Sequence, residues 1–165
     1  MNNQRESMNQ VYVSFDARSV NEGFARMVVM GFMMDMNPTM DELADVKTAV
    51  SEAVTNAIIH GYEKAEAQEN EVSKEYEKNV PQVEMRCQRE GQRLTIIVED
   101  HGVGIENVEE ARQPFFTTKP DMERSGMGFS FMESFMDELE ITSHPGIGTS
   151  ITMHKYIASK EHGGE

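Results

Sequence analysis

The sequence predicts an α+β fold in which a single sheet carries its helices on one face, a two-layer sandwich. Three observations predict it. Period-two strand patterns come in hairpin-like neighbours: Val83, Met85 and Cys87 before Leu94 to Val98, and Leu139 with Ile141 before Thr149, Ile151 and Met153. Apolar residues recur at helical spacing in the segments between them. At 165 residues the chain makes one domain, residues 1–165, large enough to bury a core without metal or disulfide support.

Val11, Val13 and Phe15 alternate with polar neighbours and predict the first strand. Ser19 and Glu22 have the spacing of a capping box, opening a helix through Phe24, Val28, Gly31 and Phe32 that Asn37-Pro38 stops. Thr39 and Glu42 repeat the box at once. The helix behind them aligns Leu43, Val46, Val50, Val54, Ala57 and Ile58 and ends at Gly61. From about 63 to 80 the chain is rich in Glu and Lys, with little apolar beyond Val72 and Tyr76. This reads as a peripheral charged insertion, either a solvated helical extension or a disordered loop. The strands on either side of Glu90-Gly91 predict an antiparallel hairpin. Ile105 to Arg124 has no clear period, as expected of a lid or binding loop. Phe129, Met132 and Met136 mark a third helix, and His144-Pro145-Gly146 joins the last two strands. A flexible tail is expected at about 158–165.

The formal charge of −14 argues against direct nucleic-acid binding, which needs a basic face. A bound polyphosphate would meet a hostile field unless a divalent cation came with it. Cys87, the single cysteine, has no internal disulfide partner and reads as a buried small hydrophobe. The 14 methionines read as pliable core filler. With no signal-peptide core and no apolar run near the roughly 20 residues of a membrane span, a soluble cytoplasmic protein is expected.

Three segments carry chemistry. Glu52, Asn56 and His60 are spaced by four on the second helix and drift only about 40° per step, sharing a face away from the apolar one. Asp100 ends an apolar strand and is followed by Gly102 and Gly104. A strand-end carboxylate beside glycines that admit a flat ring suits the exocyclic amine of adenine, although an ordinary turn has the same pattern. Ser125, Gly126, Met127 and Gly128 open the third helix, where backbone amides and the helix end favour an anion; a plain helix-starting turn is the alternative. No Lys follows the second glycine, so this is not the G-x-x-x-x-G-K-[ST] phosphate loop. Thr117, Thr118, Lys119 and Arg124 lie just upstream and could fold over a β- or γ-phosphate, or be solvated surface residues. Asn56 offers a neutral oxygen suited to Mg²⁺, and Glu52 one turn away could accept a proton from an attacking hydroxyl. His60 is a poor Mg²⁺ ligand and is assigned a supporting or helix-end role. In order and spacing the three segments describe a nucleotide site.

The segments Glu52–Gly61, Asp100–Gly104 and Ser125–Gly128 resemble the N, G1 and G2 boxes of the Bergerat ATP-binding fold, shared by gyrase, Hsp90 chaperones, histidine kinases and MutL proteins. Gly146-Ile147-Gly148-Thr149 resembles its last glycine motif. Within that superfamily, Asn37–Leu43, Val50–Tyr62 and Glu109–Phe129 are similar to the anti-sigma F factors of endospore-forming bacteria, over nearly the whole of Val11 to Tyr156. The resemblance implies a mixed, mostly antiparallel sheet with helices on one face. It implies ATP and Mg²⁺ as cofactors, Asn56 as metal ligand and Glu52 as the catalytic carboxylate. Adenine and phosphates would be held by the boxes, Phe129 and Thr149 among them. It also implies a homodimer that sequesters a sporulation sigma factor and phosphorylates an anti-anti-sigma protein on serine. The first helix is the expected partner surface, with Arg26 a candidate contact. Two other readings stand beside it: an anti-sigma switch kinase of the general stress response, and a non-catalytic ATP-dependent binding module. A histidine-kinase catalytic domain is disfavoured because no helical hairpin precedes the domain.

Overall fold

A computed structural model describes residues 8–62, 80–114 and 128–158. Strand β1 (Met8–Asp16) leads into α1 (Val20–Met33), a short 3₁₀ turn at Met34–Met36, and α2 (Met40–Asn56), which continues as one π turn, Ala57–Gly61. The hairpin β2 (Gln82–Glu90) and β3 (Arg93–Asp100) follows, then a one-turn helix α3 (Val108–Ala111), α4 (Gly128–Phe135), β4 (Glu138–His144) and β5 (Gly148–Tyr156).

The five strands form one sheet in the order β1-β2-β3-β5-β4. Every pairing among the described residues is antiparallel, so the sheet has no mixed part there. Register aligns Val13, Met85, Val98, Ile151 and Ile141 across all five strands. Alternation then buries Val83, Met85 and Cys87 on β2 and Leu94, Ile96 and Val98 on β3 beneath the helices. Burial pushes the Cys87 thiol up to about 12, so it stays a neutral core group. α2 lies centrally, with α1 on one side and α4 on the other. Its Val46, Val50, Val54, Ala57 and Ile58 are buried as its periodicity requires.

The second capping box forms in full. Glu42 N–H donates to Thr39 Oγ1 (3.2 Å) and Thr39 N–H to Glu42 Oε2 (2.7 Å). The first does not. Ser19 already has helical backbone angles, and Glu22 is drawn into tertiary bonds, accepting from Ser51 Oγ and pairing with Arg26 Nε at 3.0 Å. Methionines serve the core only in part: Met33, Met36, Met85, Met132, Met136 and Met153 are buried, whereas Met8, Met27, Met34 and Met40 are exposed. Two anchors place α4 and the chain end. Lys155 Nζ donates to Phe135 O (2.6 Å) at the last turn of α4 and to Asp45 Oδ2 on α2 (3.1 Å). Ala158 N–H donates to Glu42 Oε1 (2.8 Å). The expected charged insertion, apart from Val80, lies outside the described residues.

Candidate functional site

The end of α2, the end of β3, the start of β5 and the start of α4 surround a cavity of about 460 Å³, within the range of small-molecule sites. Four polar side chains are buried among the described residues: Asn56, Asp100, Thr149 and His154. The first three line this cavity. His154 is elsewhere, bonded through Nδ1 to Thr95 Oγ1 at 2.9 Å. Buried polarity on an apolar core is costly unless it is used, and here it is concentrated on one cavity wall.

Asp100 reaches that wall because it ends β3 opposite Thr149, the second residue of β5. Its carboxylate is 7% exposed and accepts from Gly102 N–H at 2.9 Å and from the Thr149 amide. Burial outweighs those bonds and raises its pKa from 3.8 to about 6. The backbone around it is closed by glycines. A Cβ on Gly102 would sit 1.5 Å from Gly61 O, and Val103 N–H bonds that same oxygen at 2.8 Å. Gly104, at φ 71°, lies against His144 O, 2.2 Å from where a Cβ would be. The π turn is thereby pressed onto the carboxylate.

At the opposite end the N-terminus of α4 meets α2. A Cβ on Gly128 would lie 3.2 Å from Glu52 Oε2 and 3.5 Å from Asn56 Oδ1. Glu52 and Asn56 therefore converge at the helix start that the glycine motif predicted. The stripe stays off the apolar core, as its spacing suggested, but it is not simply open to solvent. Asn56 is buried, because α4 covers it, and Glu52 and His60 are half-buried. The π turn adds a residue to the last turn, so His60 reaches the cavity by a different path from a simple helical repeat. Glu52 is not among the residues that line the cavity; its carboxylate lies beside Asn56 at Gly128.

Asn56 Oδ1 is buried with no hydrogen-bond partner among the described residues. An orphan neutral oxygen on a cavity wall fits a hard cation that prefers oxygen and takes most of its ligands from water and phosphate. No group of three or more His, Cys, Asp or Glu that could hold a metal occurs among the described residues.

Phe129 and Gly128 line the cavity as expected. Thr117, Thr118, Lys119, Arg124, Ser125, Gly126 and Met127 lie outside the described residues. Arg26 is on α1, paired with Glu22, and does not line the cavity. Three contributors escaped sequence reasoning. Ser143 Oγ accepts from Ile105 N–H (2.8 Å) and bonds Thr149 Oγ1 (2.8 Å); its pairing opposite Thr149 in the last hairpin was the available signal. Gly61 packs on Asp100. Arg112 follows α3, a helix turn capped by Asn107 inside the stretch expected to lack pattern, and lines the cavity.

The model of the histidine kinase-like ATPase domain matches residues 13–155. The anti-sigma F factor of Anoxybacillus flavithermus is 48% identical, over 93% of this chain and 96% of its own. That of Clostridium perfringens is 51% identical, over 89% and 96%. That of Bacillus licheniformis is 47% identical, over 93% and 96%. A crystal structure of the RsbU and RsbW domains of a Mycobacterium tuberculosis protein shares the fold, with TM-score 0.59 and 19% identity over 90% of this chain. This chain spans 32% of that longer one. The five-stranded antiparallel sheet with its helices on one face is that of a Bergerat-type ATPase domain. The chain belongs to the anti-sigma F factor family and is built on the histidine kinase-like ATPase domain.

Proposed function

We propose that this protein is an anti-sigma factor that binds and inhibits a sporulation sigma factor in the cytoplasm. In the same reading it is a serine kinase that uses Mg·ATP to phosphorylate its anti-anti-sigma antagonist. One observation carries the kinase half: a buried carboxylate at one end of the cavity and a carboxylate–amide pair at the other, where α4 begins. Asp100 accepts the adenine amine, with Thr149 held in place beside it by Ser143. Gly128 and the start of α4 present backbone amides to the phosphates. Asn56 supplies one oxygen to Mg²⁺, which when bound neutralises phosphate charge and holds the terminal phosphate in line. Glu52, beside Asn56, orients the substrate serine and takes its hydroxyl proton. Phosphoryl transfer needs little else than positioning and charge neutralisation.

The partner face is α1. Val20, Phe24 and Met27 are exposed there at spacings of four and three, one stripe on a helix, and Met34 is exposed in the 3₁₀ turn that follows. Arg26, its guanidinium held by Glu22 at 3.0 Å, lies on the same helix. The homodimer is part of this reading. No helix among the described residues is long and apolar enough to cross a membrane.

The test is incubation of the purified protein with γ-labelled Mg·ATP and a candidate anti-anti-sigma protein. A pull-down against several purified sigma factors and a mass measurement by light scattering accompany it. Label on serine, capture of a sporulation sigma factor and a dimeric mass are expected. ATP binding with no transfer would favour the non-catalytic module. Capture of a stress-response sigma factor would favour the switch-kinase reading.

A further inference from the structure

The charged residues that line the cavity are nearly all acids. Asp100, Glu106 and Glu110 face it, while Arg112 is the one Arg or Lys on its wall among the described residues. In a chain of net charge −14, a polyphosphate approaching that wall meets repulsion from three carboxylates. Arg112 is not idle. Its Nε donates to Glu133 Oε1 at 2.7 Å, its Nη2 bonds the same oxygen, and Nη1 lies 3.8 Å from Glu109. Glu133 is on α4, five residues past Gly128, about 7.5 Å along the helix axis. The guanidinium therefore lies beside α4, more than a turn past its start, while Arg112 itself lines the cavity. Both Arg112 and Glu133 side chains are about a third exposed, at 32% and 39%. An ion pair so exposed is worth little by itself, so exchanging its partner is inexpensive.

We infer that Arg112 is a phosphate-reading residue: on nucleotide binding its guanidinium leaves Glu133 for a non-bridging oxygen of the polyphosphate. This rests on the ATP-binding reading above. A guanidinium offers a fork of donors to phosphate oxygens, and Glu133 holds that fork ready in the empty state. Arg112 thus separates nucleotides by their phosphates, whereas Asp100 recognises the base.

Calorimetry with ADP, ATP and adenosine tests it, each nucleotide with Mg²⁺. Arg112→Ala is expected to weaken ADP and ATP about tenfold and leave adenosine within about twofold, since charge-assisted bonds to phosphate are the ones lost. Arg112→Lys keeps the charge without the fork and should lose only part of that. The swap Arg112→Glu with Glu133→Arg rebuilds the ion pair with its charges exchanged. It should keep the melting temperature close to the wild type without restoring ADP affinity. Equal loss for adenosine and ADP, unchanged ADP affinity in Arg112→Ala, or ADP affinity rescued by the swap would each overturn the assignment and make the pair structural. If the wild type bound no nucleotide at all, the parent reading and this one would fall together; a wild type that binds isolates Arg112.

Discussion

The buried carboxylate of Asp100 makes nucleotide binding depend on pH in a way that can be worked through. Its pKa rises from 3.8 to about 6 because burial outweighs the two amides that donate to it. A shift of about two units corresponds to about 3 kcal/mol between charged and neutral forms. Consider the sign for the empty protein. Below pH 3.8 the group is protonated folded and unfolded and contributes nothing. Between 3.8 and about 6 the folded state holds a proton that the unfolded chain has released, so stability falls as pH rises. Above pH 6 the full cost of about 3 kcal/mol is carried. In the proposed reading adenine reverses the preference, since its amine N–H bonds the charged carboxylate more strongly than the neutral acid. With a pKa of about 6 the charged fraction falls from about nine-tenths at pH 7 to about one-tenth at pH 5. Affinity for the base should therefore fall about tenfold over that interval. Calorimetry with adenosine, which carries no phosphate to titrate, measures it directly. Asp100→Asn should bind more weakly at pH 7 and show a flat profile from pH 5 to 7. A flat wild-type profile, or the same slope in both proteins, would refute the argument.

Glu52→Gln should keep Mg·ATP affinity within about twofold and lower phosphoryl transfer by a factor of 100 or more, on the order of a general base's contribution; a coupled assay beside calorimetry separates the two. Asn56→Ala should weaken ATP in the presence of Mg²⁺ but leave adenosine affinity unchanged, because only the cation uses its oxygen. Gly102→Ala places a carbon 1.5 Å from Gly61 O, which should destabilise the fold by at least about 3 kcal/mol. A thermal melt should then show Tm lower by about 10 °C.

Much of this architecture was legible because period and burial agree. β2 and β3 alternate, one face is covered, and the alternation reports the cover. α2 was legible from both ends, since Thr39 and Glu42 satisfy each other locally. Where local signals competed with distant partners, they misled. Ser19 and Glu22 have the spacing of a cap, yet Glu22 serves Ser51 and Arg26, which no local pattern encodes. The same holds for the Glu52–Asn56–His60 stripe. Its spacing is correct, but Asn56 in its middle is buried under α4, and packing of one helix on another is not written in either alone. α3 was missed because one helical turn is shorter than a repeat. Within the site, the residues that carry charge or an amide stood out. Gly61 and Ser143 did not, because they act by shape and by holding another group.

The cavity wall is a place where the fold works against itself. Asp100 is kept charged at neutral pH at the expense of stability, and Asn56 Oδ1 has no donor among the described residues. An unsatisfied buried acceptor adds a further cost of about 1–3 kcal/mol. Neither group improves packing; a Leu and an Ala of suitable shape would make a tighter core. In the proposed reading both costs are relieved by the same ligand, one through the base and one through its cation. Nucleotide should therefore stabilise the protein beyond what phosphate contacts alone supply. The excess should vanish when Asp100→Asn and Asn56→Ala are combined, because the double variant has nothing left to relieve. Thermal shifts with Mg·ADP in the wild type, each single variant and the pair form a cycle that measures this. If the double variant were stabilised by nucleotide as much as the wild type, the buried polarity would be a feature of the fold and not of its ligand.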